Sequence, residues 1–112
     1  MQRPINSFEI YLPLEYNDGR PIEETKFSGL EDELLDRFGG VTSIQRSFPL
    51  RGLWRSERTE VFQDRVVVFT VIDFRTKTNF ELIRYLERLK ARLKRKFNQL
   101  DVLITVQELV AI

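Results

Sequence analysis

Apolar residues change their spacing in a fixed order along this chain. From Phe8 to Leu14 they fall at every second position (Phe8, Ile10, Leu12, Leu14), with Glu9 and Tyr11 between them. That period describes a strand with one buried face. Phe27, Leu30, Leu34 and Phe38 then recur three and four apart, the signature of a helix with one apolar stripe. Residues 41–55 and 61–73 return to strand character, and Val66 to Ile72 is the most β-prone run in the chain. A second helical stripe follows (Leu82, Leu86, Leu89, Leu93, Phe97), and Val102, Ile104 and Val106 alternate as a last strand.

Local signals punctuate these runs. Asn17-Asp18-Gly19 is turn chemistry. Pro21 suits a first helical turn. Ser28-Gly29-Leu30-Glu31 matches a capping box, so the first helix is expected to start or break at Ser28. Gly39 suits its end. Thr78-Asn79-Phe80-Glu81 is a second capping box, and Asn98 a stop for the helix it opens.

A tight connection centred on Arg58 sets Trp54 opposite Phe62, Leu50 opposite Val66, Phe48 opposite Val68 and Ile44 opposite Ile72. Every pair is apolar and lies on one face, which argues for a hairpin in this register. The same register opposes Arg51 and Arg65, an unfavourable pair that a bulge at Gly52 would relieve. The element order is therefore β-α-β-β-α-β. Its compact solution is a ferredoxin-like α+β fold: a four-stranded antiparallel sheet with two helices on one face. The first and third strands are central, and the second, with Arg46, Pro49 and Arg51, lies at an edge.

At 112 residues, 42% hydrophobic and 31% charged, the whole of 1–112 reads as one globular domain. Absences narrow its chemistry. With no Cys and no His, thiol nucleophiles, imidazole triads and the usual zinc, copper and haem ligand sets are excluded. No phosphate-cradling glycine motif occurs, so no cofactor is expected. No membrane-length apolar run or signal peptide is visible, so the expected location is cytoplasmic.

Tyr11-Leu12-Pro13-Leu14, Asn17-Asp18-Gly19, Arg37 to Thr42, Gly52-Leu53-Trp54 and Asp64 to Phe69 resemble a group of small uncharacterised bacterial proteins. The resemblance runs from Tyr11 to Phe69 and implies the ferredoxin-like fold and no activity.

Three surfaces remain as functional candidates. The hairpin register turns Phe8, Ile10, Leu12, Leu14, Val66, Val68, Thr70 and Ile72 inward. It turns Tyr11, Val67, Phe69, Val71 and Leu103 outward as an apolar stripe. Such a patch calls for cover, so the leading expectation is a non-enzymatic interaction domain, a homodimer joined through those five residues. The second surface is basic. Residues 1–40 carry four basic and nine acidic residues, and residues 75–98 nine basic and two acidic. Arg84, Arg88, Arg92 and Arg95 share one helix face, with Lys90, Lys94 and Lys96 beside them. They either meet the acidic helix within the molecule or bind RNA, single-stranded DNA or an acidic protein. In the nucleic-acid alternative Tyr11 and Phe69 stand where RNA-recognition domains stack bases. The third surface is a small-ligand or enzyme cavity at the sheet face, known from dimers of this fold. Carboxylates such as Glu57, Glu60 and Asp64 beside Arg65 are available for acid–base work, but no spacing singles them out.

Overall fold

The computed structural model describes residues 2–43, 50–55 and 61–112. Seven elements follow in order: β1 (Arg3–Pro13), α1 (Glu24–Phe38), β2 (Thr42–Ser43), β3 (Leu50–Arg55), β4 (Val61–Asp73), α2 (Asn79–Lys96) and β5 (Leu103–Ala111). All pairings are antiparallel, and β4 and β1 are central. β2 and β3 occupy one sheet position beside β4, so the sheet is four-stranded, in the order expected from the sequence.

Helix ends follow local chemistry at three of four places. Gly39 closes α1 at φ 83°, and its N–H donates to Leu35 O. A Cβ there would fall 2.6 Å from an Arg75 guanidinium nitrogen, which can swing aside, so it is the left-handed backbone that favours glycine. Thr78 caps α2 by accepting the Glu81 N–H at 3.1 Å, and Asn98 leaves the helix at φ 51°. The expected start at Ser28 is not used. α1 begins a turn earlier, and the Ser28 hydroxyl instead bonds back to the Glu24 and Thr25 carbonyls. Pro21 lies before the helix, bridged to Glu15.

The hairpin register is right near its tip and changes at its base. Trp54 opposes Phe62 and Leu50 opposes Val66, as expected. Thr42 and Ser43, however, oppose Thr70 and Phe69. The register of β2 against β4 thus differs by four residues from that of β3. Residues 44–49 and 56–60, which include Ile44, Phe48, Glu57 and Glu60, lie outside the described residues. No bulge forms at Gly52, which pairs with Asp64 in an unbroken ladder. Arg51 and Arg65 do stand opposite each other, and the repulsion is relieved because Glu15 forks onto the Arg65 guanidinium.

The main correction concerns which face of β4 is buried. β1 sets Phe8 opposite Val71, Ile10 opposite Phe69 and Leu12 opposite Val67. Paired residues share a face, so Val67, Phe69 and Val71 turn toward the helices. Each is at most 1% exposed. Phe69 stacks on Phe27, which also meets Phe97. Val66, Val68, Thr70 and Ile72 point the other way. Of the proposed outward stripe, only Tyr11 and Leu103 lie on the open face, so no interface can be made from all five residues.

The two helices meet through charge as well as apolar packing. Glu33 of α1 accepts Arg92 at 2.9 and 2.7 Å and the Tyr85 hydroxyl at 2.5 Å. Burial, then the adjacent carboxylate, pushes the Tyr85 phenol well above its ordinary value. The Arg92 hydrogen bonds hold the Glu33 carboxyl below its usual range. The signs are opposite. The Tyr85 contribution is complete below about pH 10, the free phenol's value, and is lost as pH rises through the folded one. That of Glu33 is present above about pH 4.3 and lost as pH falls. Tyr85→Phe should therefore flatten the alkaline decline in stability and reduce the acid limb only in part, because the Arg92 bonds to Glu33 remain. Urea midpoints across pH for both proteins check this.

Candidate functional site

At one end of the sheet, β1 stops at Pro13, whose ring nitrogen has no hydrogen to donate. The chain then makes a small excursion. Leu14 N–H donates to Arg65 O at 2.9 Å, and Ile22 N–H returns to Leu14 O at 3.0 Å. Between them Tyr16 to Gly19 forms the expected turn, with Gly19 at φ 88° and its N–H donating to Tyr16 O. Asp18 receives the Arg20 N–H and guanidinium, which fixes the tip.

This excursion, the start of β4 and the α2–β5 connection enclose a cleft of about 690 Å³. Glu15, Tyr16, Asp64, Arg65 and Asp101 line it. Arg65 grips Glu15 with two bonds of 2.9 Å, and these lower the Glu15 pKa. Asp101 is held by Lys90 at 3.1 Å, which lowers its pKa too. Tyr16 is buried, its hydroxyl shared between Glu23 and Lys26. Lys26 also donates to Lys96 O, so the loop is tied to the end of α2. The lining itself has three carboxylates and one guanidinium. Its size is that of a pocket for a small organic molecule.

A smaller cleft of about 280 Å³ lies at the opposite end, lined by Asn6, Asp73, Asn79 and Glu108. Asp73 Oδ1 accepts the N–H groups of Arg75 and Thr76, closing the turn into α2. Among the described residues its Oδ2 has no hydrogen-bond partner, although it is buried. Asn6 donates to Asn79, and Asn79 to Glu108, at 2.7 Å each. Among the described residues no group of three His, Cys, Asp or Glu could hold a metal ion, and no helix is long and apolar enough to cross a membrane.

The arginine face of α2 is divided. Arg92 is committed to Glu33, Arg84 and Arg88 border a cleft with Arg37, and Arg95 is exposed further along. Of the large cleft, only Asp64 and Arg65 stood out in the sequence. Glu15, Tyr16 and Asp101 reach it through turns whose geometry no periodicity encodes.

Two solved structures share this fold. One is a phage SAM lyase in complex with S-methyl-5'-thioadenosine, with TM-score 0.71, 17% identity, and coverage of 93% of this chain and 81% of that one. The other is a phage SAM lyase in its apo state, with TM-score 0.70, 17% identity, and coverage of 97% and 86%. No family profile matches the sequence, and no curated protein does. At this identity the likeness establishes the fold. It also corrects the leading functional expectation. Both neighbours are lyases, one of them holding a nucleoside ligand, which speaks against the expected non-enzymatic interaction domain and favours the small-ligand or enzyme-cavity alternative.

Proposed function

We propose that this protein is an enzyme acting on a small sulfonium nucleoside of the S-adenosylmethionine type, bound in the Glu15–Arg65 cleft. The observation that carries the reading is the fold correspondence over nearly the whole chain with a SAM lyase that binds S-methyl-5'-thioadenosine. The cleft supports it independently. A nucleoside ligand needs a volume of this order, and carboxylates line the cleft, two of them already paired with Arg65 and Lys90.

Cleavage of a carbon–sulfur bond in such a ligand leaves the electron pair on sulfur and yields a neutral thioether. The remaining fragment balances the charge by losing a proton or by closing on its own carboxylate. Positive charge on sulfur falls along this path, so carboxylates near it favour the bound reactant over the transition state. Glu15, Asp64 and Asp101 therefore account for binding. Rate acceleration must come from removing the sulfonium from water and holding the reacting carbon in line.

The test uses S-adenosylmethionine and S-methyl-5'-thioadenosine in calorimetry and thermal-shift titrations, with chromatography of the products. The thioether should accumulate at the expense of the sulfonium. Glu15→Gln combined with Asp64→Asn should weaken sulfonium binding by about tenfold or more and thioether binding far less. Absence of both stabilisation and turnover with wild-type protein would reject the reading.

A further inference from the structure

Five cations on this surface are matched by carboxylates: Arg20 with Asp18, Lys26 with Glu23, Arg65 with Glu15, Lys90 with Asp101, Arg92 with Glu33. Three arginines outside those pairs lie together. Between the last turn of α1 and the first turns of α2 lies a cleft of about 270 Å³, lined by Arg37, Phe80, Glu81, Arg84, Tyr85 and Arg88. Among the described residues, none of the three arginines forms an ion pair. The nearby Glu33 is already taken up by Arg92 and Tyr85.

Two of these guanidiniums rest against aromatic rings. Arg37 lies 3.9 Å from the centre of the Tyr85 ring, and Arg84 lies 5.6 Å from that of Phe80. An arginine lying over a ring keeps its N–H edges free for an oxyanion, which it binds in a bidentate fork. The Tyr85 ring is itself held by Glu33 and packs edge-on against Phe38, so Arg37 rests on a braced support. Arg84 and Arg88 are one helical turn apart and so present their charges side by side. Three guanidiniums share this cleft with one carboxylate, Glu81, so positive charge is in excess and a dianion between them would offset their repulsion. Phe80 is 69% exposed at the rim, a flat apolar ring beside the anion site.

We propose that this cleft is a second ligand site, taking the phosphate of a nucleotide through Arg37, Arg84 and Arg88 and offering Phe80 as a stacking face for its base. Its volume suits a phosphate group with the base lying outside on the ring. The site is separate from the Glu15–Arg65 cleft, with no lining residue in common.

The experiment is calorimetry with inorganic phosphate, adenosine, AMP and a short oligodeoxythymidylate. AMP should bind at least about tenfold more tightly than adenosine. Arg84→Ala with Arg88→Ala should remove most of that affinity and leave the response to S-methyl-5'-thioadenosine unchanged. Phe80→Ala should weaken AMP and spare inorganic phosphate. Binding of the oligonucleotide alone, with steep loss in salt and the same dependence on Arg84 and Arg88, supports the phosphate site and identifies a strand as its source. The proposal is overturned if no phosphate-bearing probe binds, or if binding ignores the arginine substitutions.

Discussion

Phe69→Asp is expected to leave no cooperatively folded protein. The ring is fully buried between the sheet and α1, stacked on Phe27. Truncating a buried Phe costs about 3–5 kcal/mol. A carboxylate in its place has no partner and adds a desolvation penalty of several kcal/mol. Together these approach or exceed the roughly 5–15 kcal/mol that holds a small domain folded. Tyr11→Asp and Leu103→Asp on the open face should each cost about 1 kcal/mol or less. Circular dichroism and thermal melts of the three variants decide the matter. A Phe69→Asp protein that melts like wild type would place this side chain on the surface after all.

Glu33→Lys is expected to lower stability by about 2–3 kcal/mol, or roughly 10 °C in melting temperature. Most of this comes from the half-buried Tyr85 hydroxyl losing its acceptor and from a new cation set against Arg92. The exposed share of the ion pair counts for little, since solvated pairs contribute ~0–1 kcal/mol. Glu33→Gln keeps an oxygen for the phenol and should cost about half as much. Equal losses for the two substitutions would mean that charge alone, without the phenol's hydrogen bond, accounts for the contact. The clamp also answers why the acidic and basic halves of the sequence coexist. At Glu33 they neutralise each other within the molecule, and at Arg37, Arg84 and Arg88 they do not.

Element order and three of the four helix termini were legible because each depends on residues a few positions apart. Period, the Thr78 cap and the Gly39 stop are local facts. The facing of β4 was not legible, and the reason lies in Val66 to Ile72. Apolar residues occupy both alternating sets there, so alternation carries no preference for either face. The choice is made by β1, through the pairing of Ile10 with Phe69, and by the fit of that ring against Phe27. Pairing across the hairpin fixed Leu50 against Val66 but said nothing about which side the helices cover. The base of the hairpin escaped for another reason: its four-residue slip breaks the constant register that made the tip readable. The candidate site was least visible, because Glu15 and Asp101 come from two separate connections and Asp64 from the start of β4. Only the folded topology makes them neighbours.

The central position of β1 has a consequence for how the chain acquires its structure. Both of its hydrogen-bonded neighbours, β4 and β5, come later in the sequence, and β5 lies beyond both helices. During synthesis β1 therefore emerges with two bare edges and keeps one of them until the last strand is made. Pairings of such long sequence separation form slowly, since a large loop must close before any contact rewards it. In that interval β1 is the segment most open to capture by another chain's strand, and a chaperone that shields it would act before residue 103 appears.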